Sequence, residues 1–268
     1  MIKSSAGFSP SNDDTDVFEG MVSIRSVFEG IDTGVSKRKI LSVLFSKEKI
    51  KGNGKLLGFL KARSFVYGYE LKTVPEEEIN KFADGSSHGG VIMITEKREL
   101  PETVSSPQEK GFYVILDGIE DPYNLGYAIR SVYAAGADCV LLPKRSPIVS
   151  AGIVCRSSAG ASELIEIICG ELTENVKLLK SHGYRLICSD MDAPAPAHLS
   201  NLKKPLILAI GGEKRGFSKS LTELCDLSVR LDYGRAFPMA LSAASASAIL
   251  AFEVTKQNKQ YIESCDSD

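Results

Sequence analysis

From Gly111 onward the chain alternates short apolar runs with helix-like stretches, and that alternation limits its possible folds more than any other feature. Phe112–Leu116, Cys139–Leu142, Tyr184–Cys188 and Leu206–Ile210 are short, mostly apolar runs of strand length. Between and after them lie stretches with helical spacing: Leu125–Ala135, closed by Gly136, then Leu172–His182, Ser218 to Leu224, and a long one from Leu241 to about Gln257. Strands buried on both faces read as continuous apolar runs, and strands that alternate with helices pair in parallel. The expected class is α/β, with a parallel-sheet domain over residues 111–268. Ligands of such sheets sit in loops beyond the carboxyl ends of the strands.

The remaining 110 residues divide further. A length of 268 fits about two domains at roughly 150 residues each. Residues 1–18 read as a flexible tail. Residues 19–98 read as a small α/β domain. Met21–Gly30 and Leu56–Leu60 have helical spacing, Ile40–Phe45 and Val91–Thr95 are β-rich, and Val74 to Phe82 carries a Pro at a helix start. Residues 99–110 (ELPETVSSPQEK) hold two Pro and two Ser with little apolar content, the signature of a linker. No apolar run approaches the roughly 20 residues that span a bilayer. The Ser- and Asp-rich start lacks the apolar core of a signal peptide, so a soluble, cytoplasmic protein is expected. Six cysteines form no C-x-x-C pair, and His88, His182 and His198 lie far apart. Small buried thiols and no metal site are the expectation.

The formal net charge is only −2, but charge is unevenly distributed. Between Lys37 and Arg63 stand nine Lys or Arg against one acid, Glu48, followed by the acidic stretch Glu76–Glu78. Such a patch either contacts a phosphate backbone or is a solvated face beside acids. Lys37, Arg38 and Lys39 are the candidate nucleic-acid contacts.

Three loops carry unusual residues. After the first strand comes Asp117-Gly118-Ile119-Glu120-Asp121-Pro122-Tyr123-Asn124-Leu125-Gly126, then Arg130 within the helix. Asn124 is placed to cap that helix, and an Arg near a helix start can grip a phosphate or carboxylate. After Leu206–Ile210 comes Gly211-Gly212-Glu213-Lys214-Arg215-Gly216; paired glycines at a strand end permit close backbone approach to a ligand, or simply a tight turn. The third, Leu231–Leu250, is dominated by small residues from Ala240 to Ala248 and suits tight helix packing or a flat ligand.

Taken in order, these loops resemble the signature motifs of the SpoU (TrmH-like) RNA ribose methyltransferases of the SPOUT superfamily. Asp117, Asp121, Pro122, Asn124, Gly126 and Arg130 match D-x-x-x-D-P-x-N-x-G-x-x-x-R. Arg156-Ser157-Ser158-Ala159-Gly160-Ala161 resembles [KR]-x-S-x-G-A. Gly211, Glu213, Gly216, Cys225 and Asp226 match the second signature. The third departs from the family: Leu231-Asp232-Tyr233 stands for Ile-Pro-Met, and Ala240-Leu241-Ser242 for Ser-Leu-Asn, with Ser245 nearby. Residues 19–98, closed by Ser87-His88-Gly89-Gly90-Val91, are similar to the family's ribosomal-protein L30e-like RNA-binding extension.

The resemblance implies a deep trefoil knot, dimerisation through the knotted region, S-adenosylmethionine as methyl donor and an RNA ribose 2′-hydroxyl as acceptor, with ribosomal RNA favoured over transfer RNA. It assigns catalysis to Arg130, Asn124, Glu213 and Ser242, and the cofactor to Gly211, Gly212, Gly216, Leu231 and Leu241. The altered third motif leaves open a knotted RNA-binding or assembly factor without activity.

Overall fold

The computed structural model describes residues 14–83, 88–212 and 216–259, and the chain divides into two compact units. The first comprises Met1–Glu99 with Ser150–Leu164, the second Leu100–Val149 with Ile165–Asp268.

In the first unit β1 (Thr15–Glu19) leads into α1 (Gly20–Asp32), then β2 (Ile40–Ser46), α2 (Gly54–Tyr67), β3 (Glu70–Val74), α3 (Glu76–Asn80) and β4 (Val91–Glu96). The sheet runs β1-β4-β2-β3, with β4 antiparallel to both its neighbours and β3 parallel to β2. The expected tail therefore ends earlier than residue 18. Phe18 is fully buried, and β1 pairs along β4 from Thr15↔Glu96 to Glu19↔Ile92.

The sequence reading assigns residues 150–164 to the second domain, but their contacts lie in the first unit. They form α5 (Ala151–Ser157) and α6 (Ala161–Leu164). Glycine makes this packing possible. A Cβ on Gly152 would sit 2.1 Å from the Val17 carbonyl oxygen, and one on Gly160, at φ +93°, 2.5 Å from the Ser26 side chain. Ala151 and Cys155 then complete a core with Phe18, Ile24, Phe28, Val43, Phe45 and Leu60.

The second unit contains β5 (Phe112–Asp117), α4 (Pro122–Ala134), β6 (Cys139–Pro143), β7 (Glu166–Gly170), α7 (Leu172–Ser181), β8 (Arg185–Ser189), β9 (Ala195–Pro196), β10 (Leu206–Gly211), α8 (Lys219–Thr222), β11 (Leu227–Arg230) and α9 (Ala243–Asn258). Its sheet runs β7-β6-β5-β10-β8-β11-β9, parallel throughout, as the apolar runs predict. At its centre, β5 and β10 bury every residue of Phe112–Leu116 and Leu206–Ile210. Tyr113, Ile115, Ile207 and Ala209 pack with Val176 and Leu179 of α7 and Leu221 of α8. Helices α4 and α9 pack together, and the Thr255 hydroxyl donates to the Ala135 carbonyl at 2.5 Å.

The expected linker is irregular, yet it is pinned to the second unit from Pro101 to Val104. Cys169 N–H donates to the Pro101 carbonyl at 2.8 Å. The buried Asn175 amide donates to the Glu102 carbonyl and accepts from Val104 N–H, both at 2.9 Å. No helix among the described residues is long and apolar enough to cross a membrane.

Candidate functional site

Four parallel strands of the second unit end at one edge of the sheet. Asp117 at the end of β5 pairs with Gly211 at the end of β10, while β8 and β11 stop at Ser189 and Arg230. The turns that follow enclose two cavities. The larger, about 380 Å³, lies between Cys188–Met191 at the end of β8 and beyond, Gly211 at the end of β10 with Gly212, Gly216 and Phe217 after it, Leu231 and Tyr233 after β11, and Ala240, Leu241, Ala246 and Leu250 around the start of α9. The smaller, about 120 Å³, is lined by Gly118–Asp121, Asn124, Gly212 and Ala243.

Gly212 belongs to both. Its Cα approaches Gly118 so closely that an added Cβ would lie 2.0 Å from the Gly118 carbonyl oxygen. Gly118 itself sits at φ +71°, a conformation that L side chains resist. Backbone touches backbone here, and the two loops form a continuous wall.

The structure brings together Gly211, Gly212, Gly216, Leu231 and Leu241, all five expected cofactor residues, around the larger cavity. Asn124 lines the smaller one, but it does not cap α4 as expected. Asp121 is the cap: its carboxylate accepts from Asn124 N–H at 2.9 Å, with Pro122 at the first helical position. That arrangement suits a helix start, because the Pro ring fixes φ where no N–H is needed.

Ser242 departs from its expected role. Its hydroxyl caps α9, accepting from Ser245 N–H at 3.2 Å and sharing a hydrogen bond with the Ser245 hydroxyl at 3.0 Å, and it lines neither cavity. Tyr233 was not foreseen. Its hydroxyl accepts from Leu241 N–H at 3.2 Å and donates to the Met239 carbonyl at 3.4 Å, so the Leu241 amide is already engaged within the chain. Asp190 and Met191 were also missed, although a strand ending near Cys188 already pointed to the loop that carries them.

The Arg130 side chain is exposed on α4 and has no hydrogen bond or ion pair among the described residues. It follows Tyr123 and Tyr127 at spacings that put all three on one helix face, and both tyrosines are exposed. Glu213 lies outside the described residues, as does Ser87 of the expected closing turn.

Two chemical features accompany the strand ends. Burial pushes the Asp117 carboxyl above its ordinary range, against the hydrogen bond from Gly118 N–H. In the cavity wall, a hydrogen bond from the Cys188 thiol holds Cys225 down to about 6 and pushes Cys188 up in return. Asp226 beside it accepts from Leu186 N–H at 2.8 Å and the Lys180 ammonium at 2.6 Å, tying the start of β11 to β8 and α7. The Cys-Asp pair is thus built into the frame of the site.

In the first unit the basic run separates into different fates. Lys37 and Lys39 are exposed, and Lys39 pairs with Glu96 at 2.9 Å. Arg38 is buried, which overturns its assignment as an RNA contact. Its guanidinium reaches Asp16 at 2.5 Å and Glu163 at 2.9 Å and lies over the Phe18 ring at 4.8 Å. A guanidinium enclosed by two carboxylates has no donor face left for a phosphate. Arg156 of the expected [KR]-x-S-x-G-A element pairs with Glu19 at 2.9 Å within the same unit. Among the described residues no cluster of His, Cys, Asp and Glu could hold a metal.

Comparison with known proteins bears on the same region. A sequence model described as the SpoU rRNA Methylase family matches residues 111–252. The TrmH family protein YacO of Bacillus subtilis, a tRNA/rRNA methyltransferase by name, is 28% identical over 238 residues, 85% of this chain and 92% of its own. The 23S rRNA (guanosine-2′-O-)-methyltransferase RlmB of Shewanella oneidensis is 24% identical over 200 residues, 72% of this chain and 80% of its own. An AdoMet-bound rRNA methyltransferase from Sinorhizobium meliloti superposes with a TM-score of 0.77 at 23% identity, covering 92% of this chain and 89% of that one.

Proposed function

The chain belongs to the SpoU rRNA methylase family, and from that premise we propose that it transfers the methyl group of S-adenosylmethionine to a ribose 2′-hydroxyl of RNA, ribosomal RNA before transfer RNA. The observation that carries the reading is Gly212, which lines both cavities and joins them through its backbone contact with Gly118. One cavity takes the donor and the other receives the acceptor.

The residues present suit the cofactor. A volume of about 380 Å³ falls within the range of small-molecule pockets. The glycine pair opens backbone to a ligand, and Phe217, Leu231, Tyr233, Leu241 and Leu250 offer apolar walls for a purine. Because Leu241 N–H already donates to Tyr233, Leu241 contributes its side chain to that wall. When bound, S-adenosylmethionine supplies a methyl group already activated by its sulfonium.

The protein then has to orient a weak nucleophile and stabilise its loss of a proton. Asn124, beside Gly212 and Ala243, orients the ribose hydroxyl. A guanidinium is a cation with donors only, so Arg130 acts electrostatically, together with an RNA phosphate, on the developing oxyanion. Glu213 steers Arg130 or the ligand. Ser242 caps the start of α9, next to Ala243 in the wall of the smaller cavity.

Arg130 shares its exposed face with Tyr123 and Tyr127, and the adjoining α9 exposes Ile249 and Phe252. A second copy seated on this apolar face would form the family's dimer and place Arg130 at the subunit boundary. The knotted carboxyl-terminal segment, the L30e-like RNA-binding role of the first unit, with Lys37 and Lys39 among its contacts, and a cytoplasmic location belong to the same reading.

Arg130→Ala should keep cofactor affinity within about twofold in calorimetry and lower methyl transfer to RNA by at least about 100-fold, as expected for a group acting in the transition state. Full activity in that variant would refute the role. Mapping 2′-O-methyl sites in ribosomal and transfer RNA from cells with and without the gene identifies the substrate. Cofactor and RNA binding without any lost methyl mark would favour the inactive RNA-binding factor.

A further inference from the structure

The segment Asp232–Ala240 has an unusual construction. Gly234 to Ala240 are exposed, and the large side chains of Phe237 and Met239 are 55% and 62% exposed. Nothing in that stretch is packed as a core. Yet Tyr233 near its start and Leu241 just beyond its end stand in the wall of the larger cavity. A loop with so little burial has no apolar driving force for one conformation, so its geometry must come from a few polar contacts.

Tyr233 supplies them. Its single hydroxyl accepts from Leu241 N–H at 3.2 Å and donates to the Met239 carbonyl at 3.4 Å, closing the loop on itself across eight residues. Its ring lines the cavity and meets Phe237 with centroids 6.3 Å apart. Immediately beyond Leu241, Ser242 caps α9, and Ala243 lines the smaller cavity beside Asn124. One phenol therefore sets both the wall of the donor cavity and the entry of α9 into the acceptor cavity.

We propose that Tyr233 is a positioning residue for the methyl donor: its hydroxyl staples the loop Gly234–Ala240 so that Leu231, Tyr233 and Leu241 form a ready-made wall for the purine. Without the staple the wall must be assembled when the cofactor binds, and the ordering entropy appears as lost affinity. The inference rests on the cofactor reading above and extends it to the order of the loop.

The test is Tyr233→Phe in the full chain, which keeps the ring and removes only the hydroxyl. The expected result is a Kd for S-adenosylhomocysteine raised by about threefold to tenfold in calorimetry, the size of one neutral hydrogen bond. The apo melting temperature should stay close to wild type, because the loop buries so little. Trypsin should also cut faster after Arg235 in the variant than in wild type, identified by fragment mass. Tyr233→Leu, which removes ring and hydroxyl together, should bind still more weakly. Wild-type binding with an unchanged Kd and unchanged cleavage in Tyr233→Phe would overturn the staple alone. A wild-type chain that binds no S-adenosylhomocysteine would overturn the site reading and this inference with it.

Discussion

The two units handle their polar groups in opposite ways. In the first, a buried guanidinium, Arg38, is enclosed by two carboxylates whose sequence positions differ by more than a hundred residues, and the charge serves the fold. In the second, the edge where β5, β8, β10 and β11 end is made of glycines, backbone groups and apolar walls around open space. Charge that is locked inside cannot recognise a ligand, whereas backbone held open by glycine can. The sites of a chain like this are found where polar groups are left uncommitted, not where charged residues are dense.

That contrast can be broken first in the first unit. Replacing Arg38 by Met leaves Asp16 and Glu163 buried without their cation, and the cost should be about 3–5 kcal/mol of unfolding free energy, read from the urea midpoint. Lys37→Ala and Lys39→Ala, which change exposed side chains, should leave the midpoint unchanged within error. A loss in Arg38→Met no larger than in the lysine variants would mean that the buried cluster is not what holds residues 150–164 in place.

The next largest effect belongs to the strand-end backbone. Gly212→Ala should weaken S-adenosylhomocysteine binding by roughly 10- to 100-fold, because its Cβ meets the Gly118 carbonyl and the two loops must separate. Gly58→Ala, in α2 of the first unit, is the control. Nothing among the described residues lies within 4 Å of its added Cβ, and the affinity should stay near wild type. Equal losses in the two variants would show that the contact between the loops does not shape the cavity.

The smallest effect sharpens the comparison through pH. The folded carboxyl of Asp117 titrates above the ordinary 3.8, so ionising it opposes folding. The penalty is absent below pH 3.8 and grows as pH rises through the folded value. Asp117→Asn removes it while keeping an acceptor for Gly118 N–H. The variant should therefore melt higher than wild type at pH 7, with the gap closing toward pH 4. A gap that is constant with pH would assign the effect to packing instead of ionisation.

What could be read in the sequence follows from the same physics. Phe112–Leu116 and Leu206–Ile210 are apolar on both faces because each is covered on both sides, so their pattern alone pointed to a parallel sheet and to the loops beyond it. The glycine pair Gly211-Gly212 stood out as a strand-end loop for that reason, whereas Leu231 and Leu241 were singled out only by the family resemblance. The burial of Arg38 was not, since its partner Glu163 lies 125 positions away and no local pattern announces it. Nor was the placement of residues 150–164, which depends on Gly152 and Gly160 accepting contacts from β1 and α1. The strand Thr15–Glu19 hid in a polar segment because its support is the neighbouring β4. The parts played by the hydroxyls of Tyr233 and Ser242 were not legible, since a hydroxyl can cap, bridge a loop or catalyse, and only its neighbours decide which.

The most direct test of the whole reading is a crystal structure of the protein with S-adenosylhomocysteine. The adenosine is expected in the larger cavity, between Leu231, Tyr233 and Leu241 and against Gly211 and Gly212, with its sulfur toward Asn124. Density at any other place, or crystals that take up none at saturating concentration, would contradict the assignment of the strand-end cavity to the methyl donor.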